Sequence, residues 1–256
     1  MLIVLSPAKT LDYESKHRIR KFTKPGFLDH SQALIDVLRR QSSSKLQTLM
    51  NISPALAELN QKRYQLWQPK CDQIDAKQAV LAFKGDVYTG LEAENMNSSD
   101  LAWAQNHLRI LSGLYGVLRP LDLMRPYRLE MGTRLKTRRG KNLYDFWDTC
   151  ITDALNEQLT TIGSKTLVNL ASNEYFKSVK PKSLRADIIS PAFRDWNNGE
   201  YRMIGFLAKK ARGRMAAWII KNRIKRPEKL VDFDLDGYYY DGDLSLKHKP
   251  VFLRRS

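Results

Sequence analysis

The chain has 256 residues, of which 43% are hydrophobic, enough to bury a sizeable core in one large domain. It carries 43 Lys+Arg against 27 Asp+Glu, a net charge of +16. An excess of that size costs self-repulsion unless a polyanion neutralises it, so a nucleic-acid partner is expected ahead of a merely basic or membrane-surface protein. Cys71 and Cys150 lie far apart and His17, His30, His107 and His248 are isolated, which excludes a disulfide scaffold and a zinc site. No apolar run reaches membrane-span length, and residues 1–15 lack the basic start of a signal peptide, so a soluble cytoplasmic protein without metal or cofactor is expected.

In chain order, Leu2–Leu5 is a short apolar run that reads as a buried strand ending at Ser6-Pro7. Residues 27–41, 43–50 and 53–67 read as helices: Leu34, Val37 and Leu38 share one face, and Ser53-Pro54 is a cap followed by proline at the first helical position. Residues 79–83 read as a second buried strand, and 98–111 as a helix started by Ser98. Residues 143–159 form the next helix, with Phe146, Cys150, Ile151 and Leu155 on its apolar face. Strands are expected at 166–170, 188–189, 201–206 and 250–253, with a helix over 207–222. The expected class is therefore mixed α/β (α+β) in one domain spanning 1–256, without the clean alternation of a doubly wound sheet.

Positive charge is clustered. Residues 201–229 hold ten Lys/Arg and one Glu, residues 105–141 hold nine Lys/Arg and two acids, and residues 230–243 hold five Asp and no base. Within the second cluster, Ser112-Gly113-Leu114-Tyr115-Gly116 lies between two apolar segments. This resembles the turn of a helix-hairpin-helix element over about 99–124, in which backbone N–H groups at Gly113 and Gly116 meet a phosphate and Arg119 and Arg125 flank it. The alternative is a plain helix C-cap at Gly113. On the helix from 207, Leu207, Ala211, Met215, Trp218 and Ile219 form a core-facing stripe. Lys209, Lys210, Arg212, Arg214, Lys221 and Arg223 flank it with no acid among them.

Three further segments leave the ends of strands. Ser6-Pro-Ala-Lys-Thr-Leu-Asp12 places Lys9 and Thr10 where ligand groups often sit, although it lacks the glycines of a phosphate-binding loop. The segment 83–90 brings Lys84, Asp86 and Tyr88 close together, as an activated amine or as a structural ion pair. The segment 169–177 offers Ser172, a helix cap, and Glu174. Lys9, Lys84, Asp86, Tyr88 and Glu174 are the catalytic candidates if the loops converge. No Ser/His/Asp order, metal cluster or glycine-rich nucleotide fingerprint is present, so the residues support binding better than any named reaction.

The segments SPAKTLDY (6–13), LAFKGDVYTGL (81–91), HLRILSGLYGVLRPLDLMRPYRLEMG (107–132), NLASNEYFKSVKP (169–181) and AKKARGRMAAWII (208–220) together resemble the YaaA peroxide-stress-resistance family. Arg214 departs from the family pattern, which has an apolar residue there. The resemblance implies a cytoplasmic protein of the hydrogen peroxide response, associated with lowered free iron and less oxidative DNA damage. It also implies a family-specific single-domain α/β fold with a positively charged cleft and a helix-hairpin-helix element, binding duplex or branched DNA. No stable protein partner and no membrane are implied. The expected DNA contacts are Gly113, Gly116, Arg119, Arg125, Lys209, Lys210, Arg212 and Arg214. They address backbone rather than bases, so binding should be largely sequence-independent and steeply salt-dependent. The alternative is an enzyme on nucleic acid or nucleotides, a lysine-based lyase or a hydrolase, in the same cleft.

Overall fold

The structure, a computed structural model, describes every residue except Arg18, Cys71, Gln73 and Ser256. Cys150 is a free thiol, and Cys71 lies outside the described residues. The chain runs β1 (Leu2–Leu5), β2 (Thr10–Leu11), α1 (Leu28–Arg39), α2 (Ser43–Met50), α3 (Pro54–Leu66), β3 (Lys77–Gln78), α4 (Ala79–Ala82), β4 (Phe83–Lys84) and α5 (Asp86–Leu91). It continues through α6 (Ser98–His107), β5 (Leu108–Ser112), β6 (Gly116–Leu118), β7 (Leu123–Met124), α7 (Leu143–Trp147), α8 (Cys150–Thr161), β8 (Thr166–Leu170) and α9 (Asn173–Phe176). The last elements are β9 (Asp187–Ile189), β10 (Ala192–Asn197), β11 (Glu200–Arg202), α10 (Gly205–Lys221), β12 (Tyr238–Leu246) and β13 (Lys249–Arg254). The mixed α+β class is as expected.

The central sheet has the order β6-β5-β1-β8-β9. β1 pairs in parallel with β5 and β8, β9 is parallel to β8, and only β6 is antiparallel. All four residues of β1 are buried, which is why this apolar run shows no alternation: it has helices or loops against both faces. A second sheet, β11-β10-β13-β12, packs Phe193 and Phe252 toward Phe233, and these rings join the same core as the central sheet.

Ser42 and Ser53 cap α2 and α3 through their side chains, with Pro54 opening α3. Four expectations fail locally. The strand expected over 201–206 is confined to Glu200–Arg202, because Gly205 already opens α10. Residues 79–82 are a helical turn rather than a strand, leaving only Phe83–Lys84 as a short bridge. The helix expected over 143–159 breaks at Asp148, whose φ is +39°. The helix expected over 98–111, in fact capped by Asn97 together with Asp100, stops at His107.

That last difference removes the helix-hairpin-helix element at 99–124. Residues 108–112 form a strand beside β1, and 116–118 fold back on it, with Ser112 opposite Gly116. A continuous apolar run is ambiguous between buried helix and buried strand, and here the edge of β1 decided it. Gly113 and Gly116 are enclosed: Gly113 O accepts from Trp147 Nε1 at 2.9 Å, and Gly116 turns at φ +67° against the Trp147 ring. Neither can offer its N–H to an external phosphate. A helix–turn–helix pair occurs earlier instead, where residues 51–53 join α2 to α3.

His17, His30 and His107 are all held below the ordinary histidine range, burial being the main cause in each. The unfolded chain therefore takes up protons at a higher pH than the folded chain, and acidification through the 6s favours unfolding. The melting temperature is expected to fall between pH 7 and pH 5.5, and replacing His107, stacked on Trp103 at 3.8 Å, by Phe should flatten that fall. A melting temperature that is level across this window contradicts the account.

Candidate functional site

The order of the central sheet creates a crevice. From β1 the chain moves to β5 on one side, and from β5 it crosses back to β8 on the other, so the loops leaving β1 and β8 diverge. Such a switch point, at the carboxyl ends of parallel strands, is where open α/β sheets bind ligands. Here the floor is Ser6 and Ser172: Ser6 Oγ accepts from Ser172 N at 2.8 Å and donates to Ser172 Oγ at 3.2 Å. The Tyr88 hydroxyl props this floor from behind by donating to the Ser6 carbonyl at 3.0 Å. Burial pushes the Tyr88 phenol well above its ordinary range, so it is a fixed donor and not a proton shuttle.

The three sequence-predicted loops converge here. β2 pairs with β4, opposing Thr10 to Lys84, and this joins the first loop to the second. Ser6, Lys9, Thr10, Lys84, Asp86, Glu130, Ser172, Glu174, Lys209 and Arg212 line a cavity of about 520 Å³. Its charge is mixed. Lys9 Nζ lies 2.9 Å from Glu130, which Arg128 also contacts at 3.1 Å. Lys84 lies 3.8 Å from Asp12, whose carboxyl hydrogen bonds from Ser15 hold down at about 2. Glu174 Oε1 accepts from Gly132 N at 2.9 Å. Glu130 and Asp12 were not singled out in the sequence, because their partners are far away along the chain.

The wall opposite the strands is α10, and it separates this cavity from a second one of about 620 Å³. Ser172, Glu174, Lys209 and Arg212 line both. The second lobe adds Arg194 and Lys249, giving four cations to one carboxylate. Arg212 stands out: it is half-buried, burial lowers its pKa, and no hydrogen bond or ion pair engages it among the described residues. A partly desolvated guanidinium without a counter-ion gains from an anion that supplies one.

The other expected contacts are placed differently. Arg119 is locked to Asp122 at 3.0 Å and Arg125 to Asp75. Arg214 lies 2.9 Å from Glu92 and 3.2 Å from Asp236, and Arg223 lies 2.8 Å from Asp100. The helix of six cations without an acid therefore acquires acids from the residue that ends α5, from α6 and from the acidic run 230–243. Lys210 is exposed but lines neither lobe. The Glu174 end of the cleft borders a loop, tied down by Gly132 N and by Tyr144 Oη, which donates to the Glu174 carbonyl at 2.9 Å. Arg134, Lys136, Arg138, Arg139 and Lys141 on that loop are exposed. No helix is long and apolar enough to cross a membrane among the described residues.

The family model described as peroxide stress protein YaaA matches residues 1–244, nearly the whole length of the chain. A chain matched so completely, with the quoted segments lining its cleft, belongs to the peroxide stress protein YaaA family.

Proposed function

We propose that this peroxide stress protein binds DNA through its phosphate backbone, along the α10 wall of the cleft, and shields it during oxidative stress. The single observation that carries this reading is Arg212, a half-buried guanidinium without a partner among the described residues, beside Lys209 at the junction of two cavities. Lys210 extends the same helix outward, and the exposed cations of 134–141 continue the charge beyond Glu174. None of these side chains is arranged as a base-reading set on a helix fitted to the major groove, so binding is sequence-independent. In this reading the family's association with free iron is indirect, through the DNA that is shielded from the chemistry iron drives, and the cytoplasm is the site of action.

A second reading has one specific observation in its favour: Lys9, Lys84, Asp86, Ser172 and Glu174 share one lobe. That grouping suits an enzyme on nucleic acid, a lysine-based lyase or a hydrolase. One experiment separates the two. Labelled duplex, single-stranded and four-way-junction DNA are titrated at two salt concentrations and then run on a denaturing gel. Salt-sensitive binding with intact strands supports the binding protein. Cleaved strands, lost in the Lys9→Ala or Lys84→Ala variant, support the enzyme. Absence of binding at low salt overturns both.

A further inference from the structure

We infer that the second lobe is a site for one nucleotide unit, with the phosphate on Arg212 and Lys209 and the base in the part of the cavity lined by Pro191, Ala192 and Met203. This deepens the DNA-binding reading and rests on it only for the source of the nucleotide. At about 620 Å³ the lobe is the size of a small-ligand site, and its lining is more apolar than that of the first lobe. A bare phosphodiester has no use for an apolar wall; a base attached to it does.

The lobe is lined by Arg212 and Lys209 from α10, together with Arg194 and Lys249. The first turn of α10 opens into the same lobe at Gly205 and Ala208, with no side-chain cap and no acid in that turn. Its backbone N–H groups thus add to the pull on an anion that Arg212 already exerts. Asn169, Asn173 and Ser190 also line the lobe and offer amide and hydroxyl groups to a base edge. Asn169 is itself held in place, donating to Ser190 Oγ at 3.3 Å and accepting from Ala171 N at 3.0 Å.

Gly205 offers a direct test. It lines the lobe, a Cβ added there meets nothing within 4 Å, and its backbone needs no positive φ. Gly205→Leu therefore adds bulk at the lobe without backbone strain, and Ala192→Leu, half-buried at the start of β10, serves as an independent second variant. Calorimetric titrations use AMP, adenosine and inorganic phosphate as probes, with duplex affinity and melting temperature measured in parallel. The wild-type chain should bind AMP roughly tenfold or more tightly than either phosphate or adenosine. In Gly205→Leu or Ala192→Leu that preference for AMP over phosphate should collapse to near one, whereas Arg212→Gln should weaken AMP and phosphate together. A second arm uses a duplex carrying 2-aminopurine opposite an abasic site. Brightening on binding identifies a nucleotide extruded from DNA as the source, and AMP binding without brightening identifies a free nucleotide. Equal affinity for AMP and phosphate in the wild type, or an AMP preference that survives in both filled variants, overturns the proposal. Loss of duplex binding alone, with the AMP results as stated, overturns the DNA reading and leaves this one standing.

Discussion

Gly213→Ala is expected to lower the melting temperature by roughly 5–10 °C, as overpacking of about 2–3 kcal/mol does in a chain of this size. Helices α10 and α5 cross at two glycines. A Cβ on Gly213 would stand 1.8 Å from the Val87 carbonyl oxygen and 2.8 Å from Leu91 N, and one on Gly90 would stand 2.0 Å from the Lys210 carbonyl oxygen. These are backbone atoms of a packed helix pair, so no side chain can swing aside to make room. The crossing also fixes the site. α5 begins at Asp86 on one wall of the cleft, and α10 carries Lys209 and Arg212 on the other, so separating the helices widens the cleft. Gly26→Ala is the control: nothing lies within 4 Å of its added Cβ, and its φ is not positive. Its effect should be within about 1 kcal/mol in either direction. Equal melting temperatures for the two variants would mean that the helices do not cross at this distance.

Arg212→Gln is expected to weaken DNA binding roughly ten- to a hundredfold at moderate salt, since hydrogen bonds to a charged group contribute about 1.5–3 kcal/mol. It should also reduce the slope of log affinity against log salt by about one, and Lys209→Gln added to it by about one more. The stability of the free protein should change little or rise, because Arg212 has no partner to lose among the described residues and its partial burial is unfavourable. Arg125→Gln is the instructive comparison. That guanidinium is already committed to Asp75 and to the chain's own carbonyls at Leu66 and Lys70. Its loss should cost stability and leave the salt slope as it was. An Arg125 variant that loses as much slope as the Arg212 variant would place the interface on the 119–125 side of the molecule.

Much of the site was legible in the sequence, but its roles were assigned unevenly. Lys9, Lys84, Asp86, Ser172 and Glu174 could be picked out because each follows an apolar run short enough to be a buried strand, and such loops gather at the ends of a parallel sheet. Their convergence in one cavity could not be read, since it depends on β1 lying beside β8 and on β2 pairing with β4. The misreading of 108–118 has the same origin. Leu108-Arg-Ile-Leu-Ser112 suits either a buried helix or a buried strand, and a partner strand from the first residues of the chain settled which. The cations of α10 looked equivalent along the sequence. Glu92 and Asp236 neutralise Arg214 from distant segments and leave Arg212 unpaired, a distinction that local spacing cannot contain.

By itself the sequence determined the charge excess, the mixed class, the capped helices α2 and α3, and the family, because these are carried by composition, by residues within a turn of one another, or by long quoted segments. Only the tertiary structure decided which glycines are packing contacts, which cations are already spent on internal carboxylates, and which loops share a cavity. Each of those depends on pairs of residues tens to hundreds of positions apart, held together by burial of apolar surface that no short window of sequence reports.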